Sequence, residues 1–139
     1  MKLKKDKFDK AVEKHKELLN KCNKTFKNKE QAEDGSWWMI AKLKQQAKEL
    51  SLVQAEFKCQ KCQSEERLSW HHLVLQKAQE FMPFDRYINA RYYWNSLIIL
   101  CWKCHKEYHF IMDKGKTDEK ETDIDKSFIL KLKKEYYDD

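Results

Sequence analysis

Two Cys-x-x-Cys pairs constrain this sequence more than any other feature. The first pair precedes two adjacent histidines, and the second is followed at once by two histidines four residues apart. In chain order, these residues are Cys59, Cys62, His71, His72, Cys101, Cys104, His105 and His109. Thiolates and imidazoles are the ligands that Zn²⁺ and related ions prefer. The candidate metal ligands are therefore concentrated in residues 59–109.

The four paired cysteines predict a closed zinc site. Sulfur ligands in tetrahedral geometry, about 2.3 Å from the ion, suit two short Cys-x-x-Cys turns. The competing interpretation is a redox-active dithiol, which usually occurs as one exposed pair rather than two. We therefore expect Cys59, Cys62, Cys101 and Cys104 to hold a structural Zn²⁺. Cys22 is expected to be a small apolar residue on a helix face.

The spacing of the histidines predicts a second, open metal site. His105 and His109, at positions i and i+4, lie on one face of a helix and are close enough to share an ion. His71 and His72 point to opposite sides of an ideal strand, so both face that ion only if the strand ends or bulges there. The remaining histidine, His15, falls on an apolar helix stripe and is expected to be packed rather than to bind a metal.

Hydrophobic periodicity predicts a mostly helical α+β fold. The chain has only two glycines and one proline, which leaves little material for a β protein with many turns. The expected elements are helices over 2–28 and 37–51, a strand over 66–74, a long connection over 75–94, a strand at 97–100, a helix carrying His105 and His109, a charged linker, and a helix over 126–137.

Length and charge divide the chain into three parts. We expect a basic extension of two helices at 1–54, a zinc and metal core at 55–112, and a charged linker with a C-terminal helix at 113–139. Of the net charge of +6, nearly all lies in residues 1–50, which carry 14 lysines against 8 acidic residues. This excess fits a polyanion partner, but a lysine-rich helix is also a common solvated face.

No apolar stretch approaches the roughly 20 residues needed to cross a bilayer, and the lysine-rich start lacks the apolar segment of a signal peptide. We therefore expect no membrane association and an intracellular, cytoplasmic location. Two Cys-x-x-Cys pairs also indicate a zinc site rather than the disulfide framework of a secreted protein.

Taken together, the motifs resemble those of the HNH endonucleases, ββα-metal nucleases that contain a treble-clef zinc knuckle. The resemblance covers residues 56–110 and rests on the order Cys-x-x-Cys, His-His, an asparagine-containing segment, and Leu-Cys-x-x-Cys-His-x-x-x-His. It implies a ββα-metal (HNH, treble-clef) core with an N-terminal helical extension and a C-terminal helix. It also implies metal-dependent hydrolysis of DNA phosphodiester bonds.

The resemblance assigns a role to each histidine of the core. His71, at a position where many members have aspartate, would bind the catalytic divalent ion, which could be Mg²⁺, Mn²⁺, Ni²⁺ or Zn²⁺. His72 would be the general base that takes a proton from the attacking water. His105 and His109 would complete or support the metal site.

The sequence departs from the family pattern at one important position. Family members usually have asparagine five residues before the first cysteine of the second pair, where this chain has Ser96, and the asparagine is its neighbour Asn95. A bulge could restore Asn95 to the site, or the hydroxyl of Ser96 could substitute for it. Equally, the chain could be an inactive copy. A milder departure is Leu75, three residues after His72, where proline is common.

DNA is the partner that the resemblance implies, and basic side chains are the candidates to contact its backbone. In the core these are Arg86, Arg91, Lys103 and Lys106. Two other functions stay open: a zinc-stapled nucleic-acid-binding module without catalysis, and a protein-interaction domain shaped by the zinc. The chain could also form a homodimer.

Overall fold

Five helices and two short antiparallel strand pairs make up the described part of the chain, which comprises residues 2–25, 37–73, 82–112 and 123–138 of a computed structural model. The elements are β1 (Lys2–Leu3), α1 (Lys5–Thr25), α2 (Trp37–Gln54), β2 (Leu68–His72), α3 (Phe84–Tyr92), a 3-10 turn (Trp94–Ser96), β3 (Leu97–Cys101), α4 (Trp102–Met112), α5 (Lys126–Tyr136) and β4 (Tyr137–Asp138). The fold is mostly helical α+β, as the sequence predicts.

The strand pair β2–β3 is the framework on which the candidate ligands lie. Its register runs one to one from Leu68 opposite Cys101 to His72 opposite Leu97. Because no residue is left over in this ladder, the strand contains no bulge at the histidines. Helix α4 begins immediately after β3, so the second cysteine pair spans the junction between a strand and a helix.

The two ends of the chain meet in the second strand pair. Lys2 lies opposite Asp138 and Leu3 opposite Tyr137, and the amide of Lys4 donates to the carbonyl oxygen of Tyr136 over 2.7 Å. The sequence gives no periodic signal for strands of two residues, so this pairing was not predicted. Among the described residues, no helix is long and apolar enough to cross a membrane.

Two clusters of buried side chains hold the fold together. One lies around the β2–β3 pair and includes Phe57, Leu68 and Ile99. The other lies between α1, α2 and α3 and includes Cys22 and Leu43, both with 0% exposure. Cys22 is therefore a small buried side chain of a helical interface, as expected.

Helix α3 corrects the interpretation of residues 75–94 as one long connection. Pro83 precedes the helix in an extended conformation and accepts, through its carbonyl oxygen, the amide of Tyr87 over 2.8 Å. A proline just before a helix is compatible with its first turn, because the early amides have no partner inside the helix. Tyr87, Ile88 and Tyr92 are buried and so hold α3 against the rest of the protein. Residues 74–81, and with them Leu75, lie outside the described part.

Candidate metal centres

The four cysteines of the two pairs converge on one point. The sulfur atoms of Cys59, Cys62, Cys101 and Cys104 all lie within 4.8 Å of one another, and those of Cys62 and Cys101 are 3.5 Å apart. Four sulfurs bound tetrahedrally to zinc would be about 3.8 Å apart, given a Zn–S distance of about 2.3 Å. The cluster therefore fits a structural metal ion such as Zn²⁺. We refer to these four residues as the cysteine cluster.

Gln60 ties the first cysteine pair to β3. Its amide donates to the carbonyl oxygen of Ile99 over 2.9 Å, and its side-chain oxygen accepts the amide of Ile99 over 2.8 Å. These two bonds place the turn at Cys59 and Cys62 beside the end of the strand that carries Cys101. Gln60 was not singled out from the sequence, because its role depends on a contact with a distant strand.

The backbone around the first pair is unusual for a chain with so few glycines. Among the described residues, four non-glycine residues have positive φ, namely Glu56 (58°), Phe57 (60°), Gln63 (66°) and Arg67 (49°). Each such conformation costs of order 1 kcal/mol and persists only where the surroundings impose it. Burial of Phe57 is one such constraint, and an ion held by the neighbouring cysteines would be another.

The thiol of Cys59 has a lowered pKa. Its burial opposes ionisation, but backbone amides of Cys101, Cys62 and Lys61 donate to its sulfur and lower the pKa to about 6. Burial and the neighbouring sulfurs raise the pKa of the Cys104 thiol. A thiolate stabilised by backbone amides is the starting point for metal binding, since the ion must displace the thiol protons.

His71 and His105, two of the predicted metal ligands, come together beside the second cysteine pair. Nε2 of His71 lies 2.7 Å from Nδ1 of His105, and the hydroxyl oxygen of Ser69 lies 2.8 Å from the same Nε2. A ring nitrogen has one proton or one lone pair, so it can form only one conventional hydrogen bond with these two neighbours. Two imidazole nitrogens this close together, with a hydroxyl beside one of them, are candidate ligands for a cation. We call His71 and His105 the histidine pair; the side chain of His109 lies outside the described part.

His72 lies on the opposite face of the β2–β3 pair from His71. Its Nε2 is 3.2 Å from the carbonyl oxygen of Arg91, which can only accept, so Nε2 carries the proton. Burial lowers the pKa of this imidazole, and the charges of Arg91, Lys44 and Lys48 lower it further against the effect of that hydrogen bond. His72 is therefore neutral near pH 7. The regular strand separates it from the histidine pair.

Asn95 and Ser96 lie in the 3-10 turn that precedes β3. Asn95 is exposed. Ser96 is buried, and its hydroxyl donates to the carbonyl oxygen of Tyr93 over 2.6 Å, within its own turn. The carbonyl oxygen of Ser96 accepts the amide of Leu73 over 2.8 Å, so the backbone of this turn holds the chain directly after His72.

The four basic residues expected to contact DNA lie at two places. Arg86 and Arg91 are on α3, where Arg86 is exposed and Arg91 lies 5.8 Å from the rings of both Tyr87 and Tyr92. At the start of α4, the amines of Lys103 and Lys106 lie 5.6 Å and 5.0 Å from the ring of Trp102, and Arg67 lies 5.4 Å from the same ring.

His15 is a structural histidine, as expected. It has 0% exposure and its ring stacks on Tyr93 with 5.4 Å between centroids. Nε2 accepts the amide of Trp94 over 3.0 Å, so the proton is on Nδ1, which donates to the side-chain oxygen of Gln46 over 3.0 Å. Both ring nitrogens thus have protein partners, and α1, α2 and the 3-10 turn are joined at this one side chain. Burial lowers its pKa.

Besides Gln60, the residues Ser69, Lys44 and Lys48 were not identified from the sequence. Ser69 could have been, because residues two apart in a strand share a face, which places Ser69 beside His71. Lys44 and Lys48 could not have been singled out, since nothing in α2 alone distinguishes them from the other exposed lysines of this chain.

The described geometry provides a possible metal-binding site of four cysteines, with two histidines that approach each other beside it. Comparison of the chain with protein-family models, with curated proteins and with solved structures found no match. The functional argument therefore rests on the residues themselves.

Proposed function

We propose that this protein is a metal-dependent endonuclease of the HNH type, which hydrolyses DNA phosphodiester bonds on a ββα-metal, treble-clef core. The observation that carries the proposal is the histidine pair, in which two ring nitrogens from β2 and α4 approach to 2.7 Å beside the cysteine cluster. The order β2, β3, α4 is the order that a ββα core requires. The cysteine cluster would hold the structural Zn²⁺.

The histidine pair would hold the catalytic divalent ion, with His109 as a further candidate ligand. Two histidines leave most of the coordination sphere of an ion for water and for a phosphate oxygen, whereas four cysteines leave none. An ion at this place would supply positive charge to the phosphorane and to the leaving 3′ oxygen. Mg²⁺, Mn²⁺, Ni²⁺ and Zn²⁺ are the candidate ions.

His72 would be the general base. Because β2 ends at His72, a phosphate at this end of the strand pair would be within reach of both His72 and the ion at the histidine pair. A base for water must be neutral near pH 7, and burial together with three neighbouring cations lowers the pKa of this imidazole. With the proton on Nε2, the basic atom would be Nδ1. The hydrogen bond from the amide of Leu73 to the carbonyl oxygen of Ser96 would hold the backbone next to His72. This bond would position the imidazole of His72 in place of the usual asparagine side chain.

The direct test is cleavage of supercoiled plasmid by the purified protein in EDTA and, separately, in Mg²⁺, Mn²⁺, Ni²⁺ and Zn²⁺. We expect nicking only with a divalent ion, and we expect His72→Ala to abolish it while one zinc per chain and the circular dichroism spectrum are retained. Glu107→Ala, which removes only an exposed ion-pair partner of Lys61, is the matched control. Parent-level nicking by His72→Ala would contradict the assignment of the base.

A second candidate is a zinc-stapled nucleic-acid-binding module without catalysis. It is favoured by the hydroxyl of Ser96, which is engaged within its own turn, and by the position of His72 across the strand from the histidine pair. This alternative predicts salt-sensitive binding of DNA with no nicking in any of the four metals.

A further inference from the structure

Three cations surround His72 on the face of the β2–β3 pair opposite to the histidine pair. Lys44 and Lys48 come from α2, one helical turn apart, and Arg91 comes from α3. Backbone contacts bring both helices to this face: Nε1 of Trp70 donates to the carbonyl oxygen of Lys48 over 3.0 Å, and Nε2 of His72 donates to that of Arg91 over 3.2 Å. We call Lys44, Lys48 and Arg91 the basic patch.

Aromatic rings orient the side chains of the basic patch. The amine of Lys44 lies 5.9 Å from the ring of Tyr92, and the amine of Lys48 lies 5.3 Å from the ring of Trp70. The guanidinium of Arg91 lies 5.8 Å from the ring of Tyr92 as well, so Lys44 and Arg91 share one aromatic partner. Each contact is worth about 0.5–1 kcal/mol at an exposed site. The rings thus hold charges of one sign together around a half-buried imidazole.

The basic patch has no acidic partner within the described residues, whereas three other cations of the protein do. Lys7 pairs with Glu135, Lys61 with Glu107 and Arg67 with Asp123. Within the ranges that the structure describes, no carboxylate lies at ion-pair distance from Lys44, Lys48 or Arg91. Clustered like charges repel one another unless an anion joins them, so such a cluster raises the local concentration of anionic ligands.

We propose that the basic patch binds the phosphodiester backbone of duplex DNA and places a phosphate next to His72. The binding itself stands without the proposed nuclease activity; only the cleavage of the bound strand rests on that function. Tyr87 and Tyr92 are buried, and cations lie over the rings of Tyr92 and Trp70. These rings are therefore not platforms for base stacking, and the contacts are to phosphate, which gives little sequence preference.

The test is fluorescence anisotropy of a labelled DNA duplex of arbitrary sequence, titrated in EDTA at several NaCl concentrations. EDTA prevents metal-dependent cleavage, so the titration measures binding alone. The patch variant is Lys44→Gln with Lys48→Gln, which keeps most of each aliphatic stem. The matched control is Lys131→Gln with Lys134→Gln, two exposed lysines of α5, which removes the same net charge from another surface.

We expect the patch variant to bind DNA about tenfold or more weakly than the parent at 0.1 M salt, with a salt slope reduced by about 2, because each phosphate contact contributes about 0.9 to that slope. We expect the control to stay within about twofold. Lys44→Arg with Lys48→Arg should restore parent affinity, since the charges return. Equal affinity of the patch and control variants would overturn the proposal, as would a parent protein that binds no duplex or whose affinity for duplex does not depend on salt.

The same variants separate this inference from the proposed function. If the parent cuts plasmid in no metal while the patch variant loses DNA affinity, the basic patch is a DNA-binding surface and the nuclease proposal fails. If the parent cuts in the presence of metal and the patch variant binds and cuts as the parent does, the nuclease proposal stands and the basic patch is overturned as the DNA-binding surface.

Discussion

The cysteine cluster and the histidine pair each include a residue from the start of α4, Cys104 and His105, yet they offer a metal ion different surroundings. The cluster supplies four sulfurs within 4.8 Å of one another. The histidine pair supplies two nitrogens with the hydroxyl of Ser69 beside them. Four protein ligands complete a tetrahedral site, whereas two leave positions for water and substrate. We therefore expect a structural metal ion at the cysteine cluster and a catalytic metal ion at the histidine pair.

The largest expected effect is on the cysteine cluster. In Cys101→Ser we expect loss of the bound zinc and a largely unfolded chain, because zinc contributes about 10 kcal/mol or more to the folding of small zinc domains and a whole domain is stable by only about 5–15 kcal/mol. The measurements are zinc per chain by mass spectrometry and thermal unfolding by circular dichroism. Cys22→Ala, at a buried cysteine outside the cluster, should keep its zinc. A folded, zinc-free Cys101→Ser protein would contradict the structural role.

Substitution of the histidine pair should separate the two sites. We expect His71→Ala and His105→Ala to lower metal-dependent nicking about 100-fold or more, since a catalytic ion supplies several kcal/mol to the transition state. Zinc content and fold should be unchanged. Nicking rates measured under single-turnover conditions test this, with Glu107→Ala on the same helix as the control. Loss of the zinc in either histidine variant would show that the two sites are not independent.

His15 is a structural counterpart to the histidine pair: it is buried, and both of its ring nitrogens have protein partners. We expect His15→Ala to lower the free energy of unfolding by about 3 kcal/mol, through a cavity and unpaired polar groups at Gln46 and Trp94. Urea unfolding measures this change. The exposed neighbour substitution Lys16→Ala should change stability by less than about 0.5 kcal/mol. A loss below about 1 kcal/mol in His15→Ala would contradict its structural role.

A smaller effect is expected from pH. Burial lowers the folded-state pKa of His15 below its ordinary value of 6.5, so below pH 6.5 the unfolded chain binds a proton that the folded protein does not. Stability is therefore full above pH 6.5 and falls as the pH drops toward the folded-state pKa. Burial of His72 acts in the same direction. Urea unfolding at pH 7.5 and pH 5.5 measures the change, which should be smaller in His15→Gln than in the parent.

Local spacing explains what could be predicted from the sequence. The cysteine cluster follows from two Cys-x-x-Cys turns, and helices α1, α2 and α5 follow from their apolar stripes. Helix α3 was missed because its aromatic residues follow a proline and do not form a clear stripe. The pairing of β1 with β4 and the approach of Lys44 and Lys48 to His72 depend on contacts between distant parts of the chain, which no local pattern records.

For the histidines, local patterns predict the position of the side chains but not their chemical roles. Strand alternation correctly placed His71 and His72 on opposite faces in the absence of a bulge. The roles that the family resemblance gives to His71, His72, His105 and His109 stay predictions, because they concern an ion and a substrate.

The most direct measurement of the central claim is a mild chelation experiment on the purified protein. Brief treatment with EDTA, followed by gel filtration, should remove a weakly held ion and leave one zinc per chain and an unchanged circular dichroism spectrum. We predict that the treated protein does not nick plasmid and that added Mn²⁺ or Mg²⁺ restores nicking. Two results would contradict an open catalytic site at the histidine pair. One is the absence of nicking with every divalent ion, and the other is a nicking rate that depends only on the amount of bound zinc and not on added Mn²⁺ or Mg²⁺.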